Sequence, residues 1–398
     1  MHIDLFDPKS FAHGQPHDQF AWLRENDPVH WQDEPNGRGY WALTRFEDVW
    51  TVDRDHQSFS SEPTIMIADG AGGGMGPYKM MLMMDPPDHT AFRKLIRGEF
   101  TLPTAKLRAE RIAALARQIV DSVIERGECD FVEDVAGEMP SFVIAELMGL
   151  PLDDGRELYK LTEAIHTAPD AQAPGAGAAA VAKMFEYGRG VIDEKRARPG
   201  DDLASRLLAC EVDGRRLDDM EFLLFFLLLI DAGGDTTRNL LAGGLVALLE
   251  HPDQFAWLKA DLPGRLDRAR EELLRWSSPV IYMRRTARRD FELGGKTIRE
   301  GDKAVMYFGS ANRDPARFDR AGELDLSREN NEHIAFGAGT HVCLGQHLAR
   351  IEIDAMLREV LTRMDGFELA AEPQWLASNF ISGPKSMPIR FRPGPKLG

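Results

Sequence analysis

Cys343 lies in FGAGTHVCLG, Phe336 to Gly345, where glycines bracket the thiol and a helical pattern follows directly. Glycines let a backbone approach a large group closely and take positive φ. A helix start beyond the sulfur supplies N–H groups and a positive dipole end, which favours thiolate over thiol. The Phe336 ring and the cation-capable His341 complete a bed for a flat, apolar, negatively edged ligand. Haem is such a ligand, and a single thiolate can hold its iron. The plainer alternative is a buried structural cysteine in a Gly-rich turn. The full spacing of Phe336, Gly337, Gly339, His341, Cys343 and Gly345 speaks against it.

A second candidate is DAGGDTTRN, Asp231 to Asn239, set in a long apolar helical pattern. Adjacent glycines in a helix interior cost about 1 kcal/mol each relative to alanine. Such a weak point beside Thr236 lets the i to i−4 ladder open and leaves room for a small molecule or water. Asp235 and Thr236, an acid and an alcohol, would then relay protons into a dry pocket. Close helix packing at Gly233 and Gly234, with Thr236 bonded back to a carbonyl, is the competing reading. A third candidate is EELLRW, where Glu272 and Arg275 share a helix face. They form either a surface pair of little consequence or a buried one, and the sequence does not choose.

The elements that must position these residues are mostly helical. The pattern from Asp219 to Glu250 has Asp218 and Glu221 in capping-box spacing and Pro252 beyond its end. At 1.5 Å per residue this helix runs roughly 48 Å, and its apolar run Phe222 to Ile230 marks a core helix. A shorter helix covers about Leu266 to Trp276, and a last long one follows Cys343. FELGGKTI, Phe291 to Ile298, reads as a hairpin, and KAVMYF, Lys303 to Phe308, as a weakly alternating strand. The fold class is therefore mainly α with small β-sheets. Two loop-like stretches, Ala68 to Pro77 and Thr167 to Ala180, read as mobile segments over a site.

The 398 residues are 43% hydrophobic and 28% charged, which is globular composition. With 48 Lys and Arg against 64 Asp and Glu, the net charge is −16, which argues against nucleic acid as a partner. The three cysteines, Cys129, Cys210 and Cys343, form no CxxC pair, so a disulfide scaffold and a Cys-rich zinc site are excluded. No apolar run approaches the roughly 18 residues of a membrane span, and the first residues lack signal-peptide character. A soluble, cytoplasmic protein is expected.

Taken in order, the three candidates resemble a cytochrome P-450, a haem-thiolate monooxygenase, over essentially the whole chain, read as a single haem domain, 1–398. AGGDTT resembles the family's oxygen-binding central helix, EELLR its Glu-x-x-Arg pair, and FGAGTHVCLG its cysteine loop. The resemblance implies haem b with Cys343 as the iron ligand and Phe336, Gly337 and Gly345 against the macrocycle. It also implies O₂ in a groove at Ala232 and Gly233, with Asp235 and Thr236 delivering protons. His89 and Arg93, in DPPDHTAFR, match the family's propionate-binding helix pair. Arg285 matches its propionate-binding strand arginine, with Arg284 beside it as the alternative, and His341 matches a third contact. Glu272 and Arg275 become structural. NRDP, Asn312 to Pro315, is as the family has it, but Gly322 and Leu324 depart from the usual Pro-Asp-x-Phe, which bears on the meander and not on the haem site.

The implied reaction inserts one oxygen atom of O₂ into a C–H bond of a hydrophobic small molecule. Electrons would come from a separate ferredoxin and ferredoxin reductase, with Lys94, Arg97, Lys106, Arg108 and Arg350 as docking cations. By analogy the substrate wall draws on Met80 to Met84, Ala164 to Met184, Leu229 to Ala232, Val280 to Met283 and Phe380 to Ile381. GGDTTRN is similar to bacterial members acting on sterol side chains, terpenoids and alkyl chains. No membrane and a monomer are expected. Three rivals stand beside this reading: a peroxide-driven haem-thiolate peroxygenase, a non-catalytic haem sensor, and a cysteine-nucleophile hydrolase using His341 or His333 as base.

Overall fold

The computed structural model describes residues 2–69, 77–167, 172–212 and 214–398. Most of the loop expected at Ala68 to Pro77, and residues 168–171 of the other, therefore lie outside the described residues.

The centre is the helix Asp219–Glu250, 32 residues long. Asp218 caps it by accepting from Glu221 N, and the Glu221 carboxylate accepts from Asp218 N in return, each at 2.9 Å. That reciprocal bonding satisfies two orphan donors and fixes the starting point. The run Phe222 to Ile230 is buried on every side, as an all-apolar segment requires. Around it pack the helices Glu138–Met148, Leu152–His166, Ala176–Ala197, Leu262–Ser277 and Gln346–Arg363, and Ala109–Val123 packs on the first and last of these. Together they form the largest apolar cluster, which includes Phe226, Leu245, Leu273 and Met356.

The helix carrying Glu272 and Arg275 begins at Leu262, one turn before the expected Leu266. Its start signal is Asp261, whose side chain accepts from Gly264 N at 3.2 Å, with Pro263 in the first turn where no N–H is needed. Apolar periodicity begins after that polar turn, which explains the missed boundary.

Two smaller clusters flank a five-stranded sheet in the order Val29–Gln32, Tyr40–Leu43, Lys303–Tyr307, Tyr282–Ala287, Phe59–Ser60. Lys303–Tyr307 is buried at every position, on both faces, so its sequence alternates weakly. The expected hairpin is present, with Phe291–Leu293 paired to Lys296–Ile298 across Gly294 and Gly295, both at positive φ. Among the described residues no single helix is long and apolar enough to cross a membrane.

Candidate haem and oxygen site

The cysteine loop is pressed against the helix Phe46–Arg54. Gly339 has φ +64°, and a Cβ there would come within 2.8 Å of the Asp53 carbonyl oxygen and 3.0 Å of Arg54 Cα. Cys343 N donates to Phe336 O at 2.8 Å and closes the loop. Phe336 carries the Arg350 guanidinium over its ring, 4.6 Å from the centroid. Burial pushes the Cys343 thiol above its ordinary pKa, while N–H groups of Gly345 and Gln346 and the charges of Arg93 and Arg350 pull the other way. The helix start alone does not win, contrary to the sequence expectation. A metal ion at the sulfur is what deprotonates such a thiol outright.

Beside the loop lies a cluster of nitrogen donors. His89 and Arg93 project from the helix Asp88–Ile96. Arg93 Nη2 donates to Val342 O at 2.6 Å. The His89 and His341 rings lie 4.0 Å apart, and His341 Nε2 is 3.0 Å from Ser61 Oγ. Arg285 donates to Asp53 Oδ1 at 2.8 Å, and Asp53 Oδ2 accepts from Ala338 N at 2.7 Å. Strand alternation sends Arg284 to the opposite face, where it bonds Asp69 Oδ1 at 2.7 Å. Of the two arginines, Arg285 faces the site.

Burial, then Arg93, lowers the His89 pKa to about 4. Burial, Arg285 and His89 hold His341 well below its usual range. His89 Nδ1 is buried without a hydrogen-bond partner. Two neutral imidazoles and two guanidiniums thus converge, while the nearby carboxylates Asp53 and Asp85 are already paired with Arg285 and Arg288. Such a cluster favours an anionic ligand, which would satisfy the spare donors.

The central helix forms the facing wall. It stays α-helical through Gly233 and Gly234, so the expected opening of its ladder is absent. Thr236 Oγ1 instead donates back to Ala232 O at 3.2 Å. Close packing does not demand the glycines either: a Cβ on Gly233 would be 3.6 Å from Ile144, and one on Gly234 would be 3.5 Å from Tyr159, both ordinary contact distances. Asp235, one residue along, is buried and points toward the helix Leu152–His166 rather than the cavity.

Between these parts is a cavity of about 260 Å³. Cys343, His341, Arg285, His89, Arg93, Phe336, Gly337, Gly345, Ala232, Gly233 and Thr236 all line it, and Asp235 does not. The expected apolar wall is present at Met81, Leu82, Leu229, Val280 and Met283. Met184, Phe380 and Ile381, also expected there, pack into apolar clusters instead and leave the wall to Val143 and Ile144. Three polar wall residues escaped sequence reasoning: Asp53, Thr237 and Glu352. Burial raises the Glu352 carboxyl to about pKa 8, with a Thr237 hydrogen bond opposing. Each reads in sequence as an unremarkable polar residue on a helix.

The wall fits a thiolate-held macrocycle. A thiol stands on one side, spare donors gather at one edge, and the Cβ direction of Gly345 opens on space with no atom within 4 Å. A family model described as Cytochrome P450 matches residues 175–375. The steroid C26-monooxygenase of Mycobacterium tuberculosis is 36% identical and aligns over 100% of this chain and 98% of its own. The chain belongs to the cytochrome P450 family. Linalool 8-monooxygenase of Pseudomonas putida is 32% identical over 98% of this chain and 99% of that one. Among solved structures, cytochrome P450 CYP268A2 of Mycobacterium marinum, in complex with pseudoionone, superposes with a TM-score of 0.92 at 36% identity, covering 98% and 99% of the two chains. This P450 is thus a haem b enzyme, a monooxygenase that hydroxylates hydrophobic small molecules with O₂.

Proposed function

We propose that residues 1–398 form one monomeric haem domain in which Cys343 holds the iron and His89, Arg93, Arg285 and His341 hold the propionates. Haem held there would supply, from O₂, two electrons and two protons, the oxidising power to place one oxygen atom in a C–H bond, the other oxygen leaving as water. Phe336, Gly337 and Gly345 shape the bed on the cysteine side. Ala232 and Gly233 form the opposite wall, bare enough for a diatomic ligand. The observation that carries this reading is that the cysteine loop and the Thr236 face of the central helix meet across one cavity.

Thr236 presents its hydroxyl on the cavity wall; its hydrogen is donated to Ala232 O, which leaves its lone pairs to accept a hydrogen bond and requires the hydroxyl to rotate before it donates into the cavity. Asp235 supports the role of proton source, because burial raises its carboxyl pKa toward neutrality. The apolar wall excludes bulk water and orients a hydrophobic substrate. Relatives named for a steroid and for linalool, and a neighbour bound to pseudoionone, support a terpenoid or sterol substrate, with an alkyl-chain compound next.

Electrons come from a separate ferredoxin and its reductase. Arg93 bonds the carbonyl beside Cys343, and Lys94 follows it in the same helix with Arg97 at the helix's C-cap, which supports a docking role near the cysteine loop. Lys94, Arg97 and Lys106 are exposed and unpaired among the described residues, with Leu107 84% exposed beside them. Cations around an apolar tip suit an acidic ferredoxin. Arg108 and Arg350 serve less well, because they pair with Glu99 and Glu271. Cytoplasmic residence follows from this need for a soluble electron donor.

Replacing Thr236 with alanine should leave haem binding intact and divert electrons from product into peroxide. Product and peroxide are measured per NAD(P)H consumed, with ferredoxin and reductase supplied. Unchanged coupling would remove Thr236 from proton delivery, and equal turnover with peroxide alone would favour a peroxygenase.

A further inference from the structure

Asp53 stands on the cavity wall beside Arg285, although a carboxylate is the wrong charge to place next to an anionic ligand. Its position is costly in two further ways. The side chain is buried, and it lies in the last turn of the helix Phe46–Arg54, where the negative end of the helix dipole disfavours an acid. Burial pushes its carboxyl above the ordinary pKa, while Arg285 and then the Ala338 N–H pull it back. Local helix preference does not explain an acid at this place.

Its partners do. Oδ1 accepts from Arg285 Nη2 at 2.8 Å, and Oδ2 accepts from Ala338 N at 2.7 Å. One carboxylate therefore joins the strand Tyr282–Ala287 to the cysteine loop. Both partners donate, so an amide in its place would turn an NH₂ toward one of them. The loop is shaped around the same residue. Gly337 and Gly339 both have positive φ, and a Cβ would come within 3.2 Å of Asp53 Oδ2 from the first and 2.8 Å of Asp53 O from the second. Arg285 makes one more bond, from Nη1 to Arg284 O at 3.1 Å. Two of its five N–H groups are thus engaged among the described residues, which fixes the guanidinium plane and leaves the rest for a ligand.

We propose that Asp53 is a positioning residue for haem: its carboxylate aims Arg285 at a propionate, ties that arginine to the cysteine loop, and holds the reduction potential of the iron down. The inference rests on the reading of Arg285 as a propionate contact and Cys343 as the iron ligand. Asp53 offsets the charge of one of the two guanidiniums at this edge, so two propionates meet more negative surroundings than Arg93 and Arg285 alone would give. Negative charge there favours ferric over ferrous iron.

The test compares three holoenzymes: the wild type, Asp53→Asn, which removes the charge, and Asp53→Glu, which keeps it. Haem transfer to excess apomyoglobin should be roughly tenfold faster from Asp53→Asn, the usual effect of losing a group that orients a binding residue, and should be partly restored in Asp53→Glu. The ferric–ferrous midpoint should rise in Asp53→Asn and stay near wild type in Asp53→Glu. Haem loss from Asp53→Asn as slow as from wild type would overturn the aiming role, and one midpoint in all three proteins would overturn the control of potential. The wild type alone tests the tie should Asp53→Asn not fold. In its carbon-monoxide-bound form the Ala338 amide should exchange slowly, as a donor to a buried carboxylate does, and free exchange would contradict the tie. Absence of the thiolate carbon-monoxide band from the wild type would instead overturn the haem reading itself, before any variant is compared.

Discussion

Glu272→Ala should cost about 3–5 kcal/mol of folding stability, because it strands two buried guanidinium groups. Glu272 and Arg275 are both fully buried. Glu272 Oε2 accepts from Arg275 Nε at 2.8 Å and from Arg328 Nε at 3.0 Å, and Oε1 accepts from Arg275 Nη2 at 2.7 Å. The same carboxylate also accepts from Asp325 N and the Asn331 amide. Arg275 in turn donates to the carbonyls of Asn312, Ala321 and Glu323 at 2.8–2.9 Å. This network fastens the meander beneath the cysteine loop. Against a total stability of roughly 5–15 kcal/mol, the loss removes a large share of the folding margin. Urea unfolding of the haem-free protein should show a lower midpoint with an unchanged slope. A loss under about 1 kcal/mol, the worth of an exposed pair, would contradict the network.

Cys343→Ala should abolish hydroxylation while leaving the fold largely intact. The loop is held by the backbone bond from residue 343 to Phe336 O and by the packing of Gly339 on Asp53 and Arg54, none of which needs the sulfur. What disappears is the ligand that gives the iron its electron density. Product formation should fall to background, and circular dichroism should be near wild type. Hydroxylation at more than a trace, with haem bound, would place the iron ligand elsewhere.

The parts of the site built from contiguous residues were readable in sequence. FGAGTHVCLG, the Asp218–Glu221 capping box and the spacing of His89 and Arg93 each declare a local geometry. Groups whose partners come from remote segments were not readable. Asp53, Arg328, Glu352 and His166 each look like solvated polar residues until the fold brings up Arg285, Glu272, Thr237 and Asp231. Burial of the Glu272–Arg275 pair was undecidable for the same reason. Gly233 and Gly234 left two readings in sequence, an opened ladder or an intact helix, and the helix runs unbroken through both. The choice of Arg285 over Arg284 needed the strand register, because adjacent residues always face opposite ways.

The central claim, an iron held by the Cys343 thiolate, is tested most directly by the absorption spectrum of the purified, reduced, carbon-monoxide-bound protein. A strongly red-shifted Soret band is predicted, lost in Cys343→Ala. A band at the ordinary position of haem proteins would mean a neutral ligand at the iron and would contradict the account.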